Sequence, residues 1–203
     1  HVGEANDAGC IVPQCNTGTL TRYRALGRVC GLALVNECPL GLPFARYFLR
    51  CVLGEPPTTV EELQEELRHE DPSWLGRPEF LEMSLKQQGV AEMLTMARQP
   101  TYNVLGGEVP LAADPACYVT DVNKRIYLQR RLEHQLVRTI EQQAVAFREG
   151  VEDVTGVGCL GLLSAYELKT LWAGEEIDDS NLEKWKAATR LANPAAAPQA
   201  ALF

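Results

Sequence analysis

The sequence lacks any apolar run long enough to cross a membrane. A spanning helix needs about 18 or more consecutive apolar residues, but the most apolar stretch, residues 24–54, is interrupted by charged side chains, namely Arg28, Glu37, Arg46 and Arg50. Basic clusters are missing too, since 19 Lys and Arg stand against 27 Asp and Glu, for a net charge of −8. Phosphate contacts need clustered cations, so we expect neither a membrane nor a nucleic acid as a partner.

Paired metal-ligand motifs are also absent. The seven cysteines form no C-x-x-C pair, and Cys30 and Cys51 lie among apolar residues at helical spacing. Free cysteines in such surroundings behave as small hydrophobes, whereas a structural zinc site needs closely spaced ligands. We therefore expect no metal and no other cofactor. The odd number of cysteines indicates a reducing compartment, and hence an intracellular location, cytoplasmic or nuclear.

Catalytic motifs are scarce. No G-x-S-x-G occurs, His134 is interpreted as an exposed helical histidine, and Ser164 and Ser180 as helix caps. Residues 156–161 match G-x-G-x-x-G, but dinucleotide binding requires a strand before the glycines and a βαβ unit around them. A long predicted helix precedes them here. The favoured interpretation is a flexible loop, and a nucleotide-binding enzyme is the last-ranked alternative.

Apolar periodicity predicts a mostly helical chain. From Tyr23 to Pro39 and from Pro43 to Gly54 the apolar residues recur at steps of three and four, which predicts a buried helical hairpin. Three further helices open with the S/T-x-x-E pattern of a capping box. The remaining predicted helices span Thr59 to about Arg68, 78–87, Thr120–Gly150, Ser164–Gly174 and Ser180 to about Leu191.

One segment has the period of a strand. Tyr102 and Val104 on one side, and Val109 and Leu111 on the other, flank Gly106-Gly107. This pattern is typical of a β-hairpin with a two-residue turn. The predicted fold class is therefore α+β, mostly α with one small hairpin.

The order of these motifs resembles the HECT domain of ubiquitin ligases. The GRxxGLAL stretch and the following helix of that family are similar to residues 24–54, RALGRVCGLALVNECPLGLPFARYFLRCVLG. Its aspartate-proline segment is similar to EDPSWL. YVTDVNKRIYLQRRLEHQLVRTIEQQAVAFREGVEDV resembles VTxxNKxxYV…Q…AFxxGF, and LLSAYELKTLWAGEEIDDSNLEKWKAATR resembles F…ELexLxxG…iDxxdwkxxT. The resemblance runs from about Tyr23 to Leu191.

The resemblance implies an amino-terminal HECT lobe at about residues 23–192. Residues 1–22 are then a flexible lead-in, and 193–203 a tail or a truncated hinge. A smaller subdomain at about 76–135, which contains the predicted hairpin, binds a ubiquitin-conjugating enzyme in that family.

The family's catalytic cysteine lies in a TCF-like motif of a second lobe, where it accepts ubiquitin as a thioester and passes it to a substrate lysine. No TCF occurs in this sequence, so we expect no catalytic residue in this chain and no activity from the chain alone. Ubiquitin and protein substrates would then be partners through the parent protein. The alternative is a HECT-like scaffold or interaction module without transfer activity.

The resemblance also implies docking residues. Tyr127 matches an aromatic position of the conjugating-enzyme groove, and Arg131 stands one turn on, where another aromatic residue is common in the family. Transient interfaces use a few apolar anchors, and methionine adapts to varied partners. The further candidates in the predicted subdomain are Leu85, Met93, Leu94 and Met96. The alternative for these side chains is that they fill the subdomain's own core.

Overall fold

A computed structural model describes residues 3–5, 11–13, 20–70, 79–86, 101–104, 107–110, 119–174 and 179–188. The chain is mostly helical and divides into two compact units, His1–Ala173 and Gly174–Phe203. The elements of the first unit are β1 Gly3–Ala5, β2 Ile11–Pro13, α1 Leu20–Val35, α2 Arg46–Leu53, α3 Val60–Glu70, α4 Glu79–Glu82, β3 Thr101–Val104, β4 Gly107–Pro110, α5 Lys124–Glu133, a π-helical segment His134–Arg138, α6 Glu141–Thr155, a 3-10 turn Cys159–Leu162 and α7 Ala165–Ala173. In the second unit, α8 spans Asp179–Ala188.

The closest helix packing joins α1 to α6 through glycines. A Cβ on Gly27 would overlap the carbonyl of Phe147, and a Cβ on Gly150 would overlap the carbonyl of Arg24. Both helices therefore approach to backbone contact, which only residues without a side chain permit. This packing corrects two predictions, because α1 has its main contacts with α6 and not with α2, and Gly150 lies inside α6 instead of ending it.

The segment before α2 is extended instead of helical. The N–H of Ile11 donates to the carbonyl of Pro43 at 2.7 Å, and the N–H of Ala45 donates to the carbonyl of Ile11 at 3.1 Å. Helix α2 therefore starts at Arg46, three residues later than the sequence predicts. Within the predicted lead-in, β1 and β2 pair antiparallel with Glu4 opposite Val12.

Four aromatic side chains form the centre of the core. The rings of Phe44, Phe48, Phe147 and Trp172 lie with centroids 5.4–5.7 Å apart and mostly edge to face. Such tilted contacts suit the quadrupoles of aromatic rings. The Nε1 of Trp172 also donates to the carbonyl of Cys30 at 3.0 Å. These contacts join α1, α2, α6 and α7 in one buried cluster.

Two of the three predicted capping boxes are confirmed. In the first, the N–H of Glu62 donates to the Thr59 hydroxyl at 3.2 Å, and the Thr59 N–H donates to the Glu62 carboxylate at 3.2 Å. In the second, Ser164 and Glu167 exchange the same bonds at 2.8 and 3.3 Å. The side chains of the third, at Ser180, lie outside the described residues.

The predicted helix 120–150 is divided. It consists of α5, the π-helical segment and α6, with a break at Thr139 and Ile140. The N–H of Thr139 bonds to the carbonyl of His134, five residues back, at 3.2 Å. A π-type insertion of this kind shifts the helical faces on its two sides out of register.

Strands β3 and β4 pair antiparallel, with Tyr102 opposite Val109 and Val104 opposite Gly107. Gly107 is therefore part of a strand, and not of the turn in which the sequence places it. Leu105, Gly106 and Leu111 lie outside the described residues, as do the side chains of both strands.

Candidate partner-docking site

The start of α5 holds the segment that follows α4. The Asp121 carboxylate accepts the N–H of Leu85 at 2.8 Å, and the Lys124 ammonium donates to the carbonyl of Met83 at 2.6 Å. The Leu85 N–H, followed by the charge of Lys124 at 3.5 Å, lowers the pKa of Asp121. The predicted helix 78–87 stops at Glu82. The Met83 N–H still bonds to the Glu79 carbonyl, but the Leu85 N–H is bonded to Asp121 and not to its own preceding turn.

Leu85 and Tyr127 both belong to the buried core. They are 3% and 7% exposed, respectively. The half-buried Arg131 donates from Nη1 to the Tyr127 hydroxyl at 2.8 Å, which satisfies a phenol that burial would otherwise leave without its hydrogen bond. Arg131 therefore supports Tyr127 from one turn along the helix. The other candidates, Met93, Leu94 and Met96, lie outside the described residues.

Three apolar side chains that are close in sequence to this buried pair are exposed. Val122 is 93% exposed, Ile126 56% and Met83 41%. Val122 lies in the turn that precedes α5, Ile126 lies in the first turn of α5, and the Met83 carbonyl accepts a hydrogen bond from Lys124. We call Met83, Val122 and Ile126 the α5 surface. Transient partners bind such small apolar anchors surrounded by charged groups.

Sequence reasoning missed the α5 surface for a physical reason. Helical periodicity selects the residues that face the core, here Tyr127, Leu128 and Leu132. A sequence signal for an exposed position was nevertheless available. Ile126 is an apolar residue among charged ones, following Lys124 and Arg125.

Two of the described thiols, Cys30 and Cys51, are poorly suited to nucleophilic chemistry. Burial raises the pKa of both Cys30 and Cys51 to about 12, so both remain protonated thiols at neutral pH, and the thiolate is the reactive form. Cys10, Cys15 and Cys117 lie outside the described residues. Within the described ranges, no group of three or more His, Cys, Asp and Glu side chains is placed so that it could hold a metal ion.

The remaining catalytic candidates have structural roles. Gly156 follows α6 directly, so a helix and not a strand precedes the glycine motif 156–161, as the loop interpretation expects. His134 is half-buried in the π-helical segment instead of exposed, and burial, followed by the charge of Arg138, lowers its pKa. In the part of the chain that the structure describes, no helix is both long and apolar enough to cross a membrane.

Comparison with known proteins defines the class. Residues 3–201 match the family described as HECT-domain (ubiquitin-transferase), so the chain belongs to the HECT family, as the motif order predicted. The matched segment includes the α1–α6 packing, the Tyr127–Arg131 pair and the α5 surface.

The relatives that the chain matches are ubiquitin ligases. It is 24% identical over 181 residues to the E3 ubiquitin-protein ligase NEDD4 of Homo sapiens, covering 88% of this chain and 13% of that protein. It is 25% identical over 172 residues to the E3 ubiquitin-protein ligase RSP5 of Chaetomium thermophilum, covering 84% and 20%. It is 28% identical over 170 residues to the E3 ubiquitin-protein ligase HECW1 of Homo sapiens, covering 81% and 10%. The chain thus spans a fifth or less of the length of these relatives.

Proposed function

We propose that this chain is the amino-terminal lobe of a HECT-type ubiquitin ligase and docks a ubiquitin-conjugating enzyme. The ubiquitin would pass to a cysteine of a second lobe, which this chain does not include, and then to a lysine of a protein substrate. The lobe would act by proximity, because it holds the donor thioester where a mobile acceptor can reach it.

The α5 surface is the observation that carries this proposal. Its three apolar side chains are exposed, and Ile126 directly precedes Tyr127, the residue that matches an aromatic docking position of the family. In this proposal Leu85, Tyr127 and Arg131 support the surface from below, and Val122 and Ile126 make the contact. Met93, Leu94 and Met96 complete the groove, within a small subdomain at about residues 76–135 that includes β3 and β4.

The proposal is tested by titrating the chain against a panel of ubiquitin-conjugating enzymes. Concentrations should reach about 100 μM, because transient docking can be that weak. Val122→Asp places a charge in the proposed contact, whereas Val157→Asp is its matched control, since Val157 is 91% exposed on the loop after α6. We expect saturable binding to one or two members, weakened at least tenfold by the first variant and unchanged by the second.

Two outcomes contradict docking at this surface. One is that no conjugating enzyme binds, which favours the scaffold alternative. The other is that both aspartate variants weaken binding equally, which removes the assignment to the α5 surface. A parallel assay follows ubiquitin transfer from a charged conjugating enzyme, in which we expect no thiol-sensitive ubiquitin adduct on this chain.

A further inference from the structure

Helix α1 presents an apolar face to solvent. Val29, Leu32 and Val35 are 50%, 52% and 61% exposed. Val29 is two residues from both Gly27 and Gly31, the glycines that contact α6, and therefore points about 160° away from each around the helix. This row, which we call the α1 stripe, lies opposite the α1–α6 contact at Val29 and Leu32 and turns towards that contact at Val35, four residues after Gly31. An exposed row of aliphatic residues at helical spacing is typical of a helix–helix interface.

The two ends of the α1 stripe carry opposite charges. Arg22 is exposed at the start of the helix, and Glu37 is exposed just beyond its end. Neither side chain forms an ion pair among the described residues, in contrast to Arg24 and Arg28, which bind Asp153 at 2.9 and 2.8 Å. An unpaired cation at one end and an unpaired anion at the other are complementary to the same helix running in the opposite direction.

We propose that the α1 stripe is a contact between two copies of this chain, with their α1 helices antiparallel. A two-fold axis between Val29 and Leu32 places Val29 of one copy against Leu32 of the partner subunit, and the reverse. Such an isologous contact is the commonest symmetry of homo-oligomers. This inference does not depend on the proposed docking of a conjugating enzyme.

Helix geometry places the charges in register. With a rise of 1.5 Å per residue, Arg22 lies about 13 Å from the midpoint of Val29 and Leu32, and the end of α1 at Val35 lies about 7 Å from it on the other side. Glu37 follows two residues later, in the turn after the helix. An antiparallel pair thus brings Arg22 within side-chain reach of Glu37 of the partner subunit, twice per dimer. A parallel pair would instead set Arg22 against Arg22 and Glu37 against Glu37.

The contact is small, so the dimer is expected to be weak. Standard interfaces bury about 1,200–2,000 Å² in total, and three half-exposed aliphatic side chains per copy supply less. Sedimentation velocity of the 203-residue chain should therefore cover about 5–500 μM, and we expect a reversible monomer–dimer equilibrium in the upper part of that range.

Two leucines provide a matched pair of variants. Leu32→Lys places a cation in the centre of the α1 stripe, whereas Leu162→Lys places one at a leucine that is 85% exposed on the 3-10 turn. We expect the first to weaken dimerisation at least tenfold and the second to leave it unchanged. Circular dichroism checks that both variants remain helical.

Charge reversal tests the orientation. Arg22→Glu and Glu37→Arg should each weaken the dimer a few-fold at low salt, and the double variant should restore it, because exposed ion pairs contribute modestly but specifically. A wild-type chain that is monomeric at every concentration overturns the proposal and would indicate that the α1 stripe binds a different protein. Equal effects of both lysine variants, or no restoration in the double variant, also overturn it.

Discussion

Replacing Gly150 with alanine tests the tightest contact of the fold. The new Cβ would overlap the carbonyl carbon and oxygen of Arg24 and crowd the backbone N of Arg28. Because the obstacle is backbone, no side-chain rotation relieves it, and α1 must move away from α6. The shift would loosen the packing of Gly27 against Phe147, which holds the same two helices together.

The expected cost follows from two opposing effects. Alanine is favoured over glycine inside a helix by about 1 kcal/mol, whereas overpacking a close contact costs about 1–3 kcal/mol and occasionally more. A rigid backbone obstacle places the overpacking cost at the upper end of its range, so we expect a net loss of stability of about 2 kcal/mol. For a chain of this length, each kcal/mol lowers Tm by about 2–4 °C.

The assay is thermal and urea unfolding followed by circular dichroism, with Gly161→Ala as the control. No atom lies within 4 Å of a Cβ at Gly161, so that variant should be neutral or slightly stabilising, because it reduces the freedom of the unfolded chain. A Gly150→Ala chain as stable as the wild type would refute the close approach of α1 and α6.

Two further predictions concern the caps and the core. The N–H groups of Thr58 and Thr59, and then Arg50, hold the pKa of Glu62 at about 2, below its ordinary value of 4.5. The ionised Glu62 carboxylate therefore contributes its full stability above about pH 4.5, and this contribution is lost as the pH falls towards 2. Melting curves from pH 2 to 7 should show less acid destabilisation for Glu62→Gln, and parallel curves would contradict the assignment. Trp172→Phe removes the bond to Cys30 and leaves a small void, for an expected loss of about 1–3 kcal/mol in urea unfolding; an unchanged midpoint would show that this bond contributes nothing.

Local signals predicted two helix starts correctly, those after Thr59 and Ser164. The capping boxes at Thr59 and Ser164 depend on residues three apart in the sequence, so their chemistry can be read from the sequence alone. Glycine also marked the end of a helix correctly at Gly54, whose φ is +83°, with its N–H bonded to the carbonyls of Arg50 and Cys51.

Long-range contacts caused the errors. Nothing near Gly150 distinguishes a helix end from a site of close packing, because the reason lies in Gly27 and Arg24, more than a hundred residues earlier. Likewise, Pro43 favours a helix start locally, but hydrogen bonds to Ile11 keep it extended. In each case a distant partner decided between two conformations that the local sequence permits.

The docking site itself stays a prediction, but the structure shows which of the side chains near it are exposed. Family motifs pointed to the helix that contains Tyr127, and exposed apolar side chains lie in this helix and in the turn before it. Yet Tyr127 is buried, whereas Val122 and Ile126 are exposed. Which side of α5 faces solvent depends on the bonds that Asp121 and Lys124 make to the segment after α4, and these partners lie about 40 residues away in sequence.

The glycine contact between α1 and α6 also has a consequence for biosynthesis. Gly27 leaves the ribosome about 120 residues before Gly150, which at about 5–20 residues per second is a delay of about 6–25 s. During that interval Tyr23 and Cys30, which are buried in the folded chain, have no α6 to pack against. The nascent chain therefore exposes α1 while most of the domain is being translated, and this stage is where binding by a chaperone would protect it most.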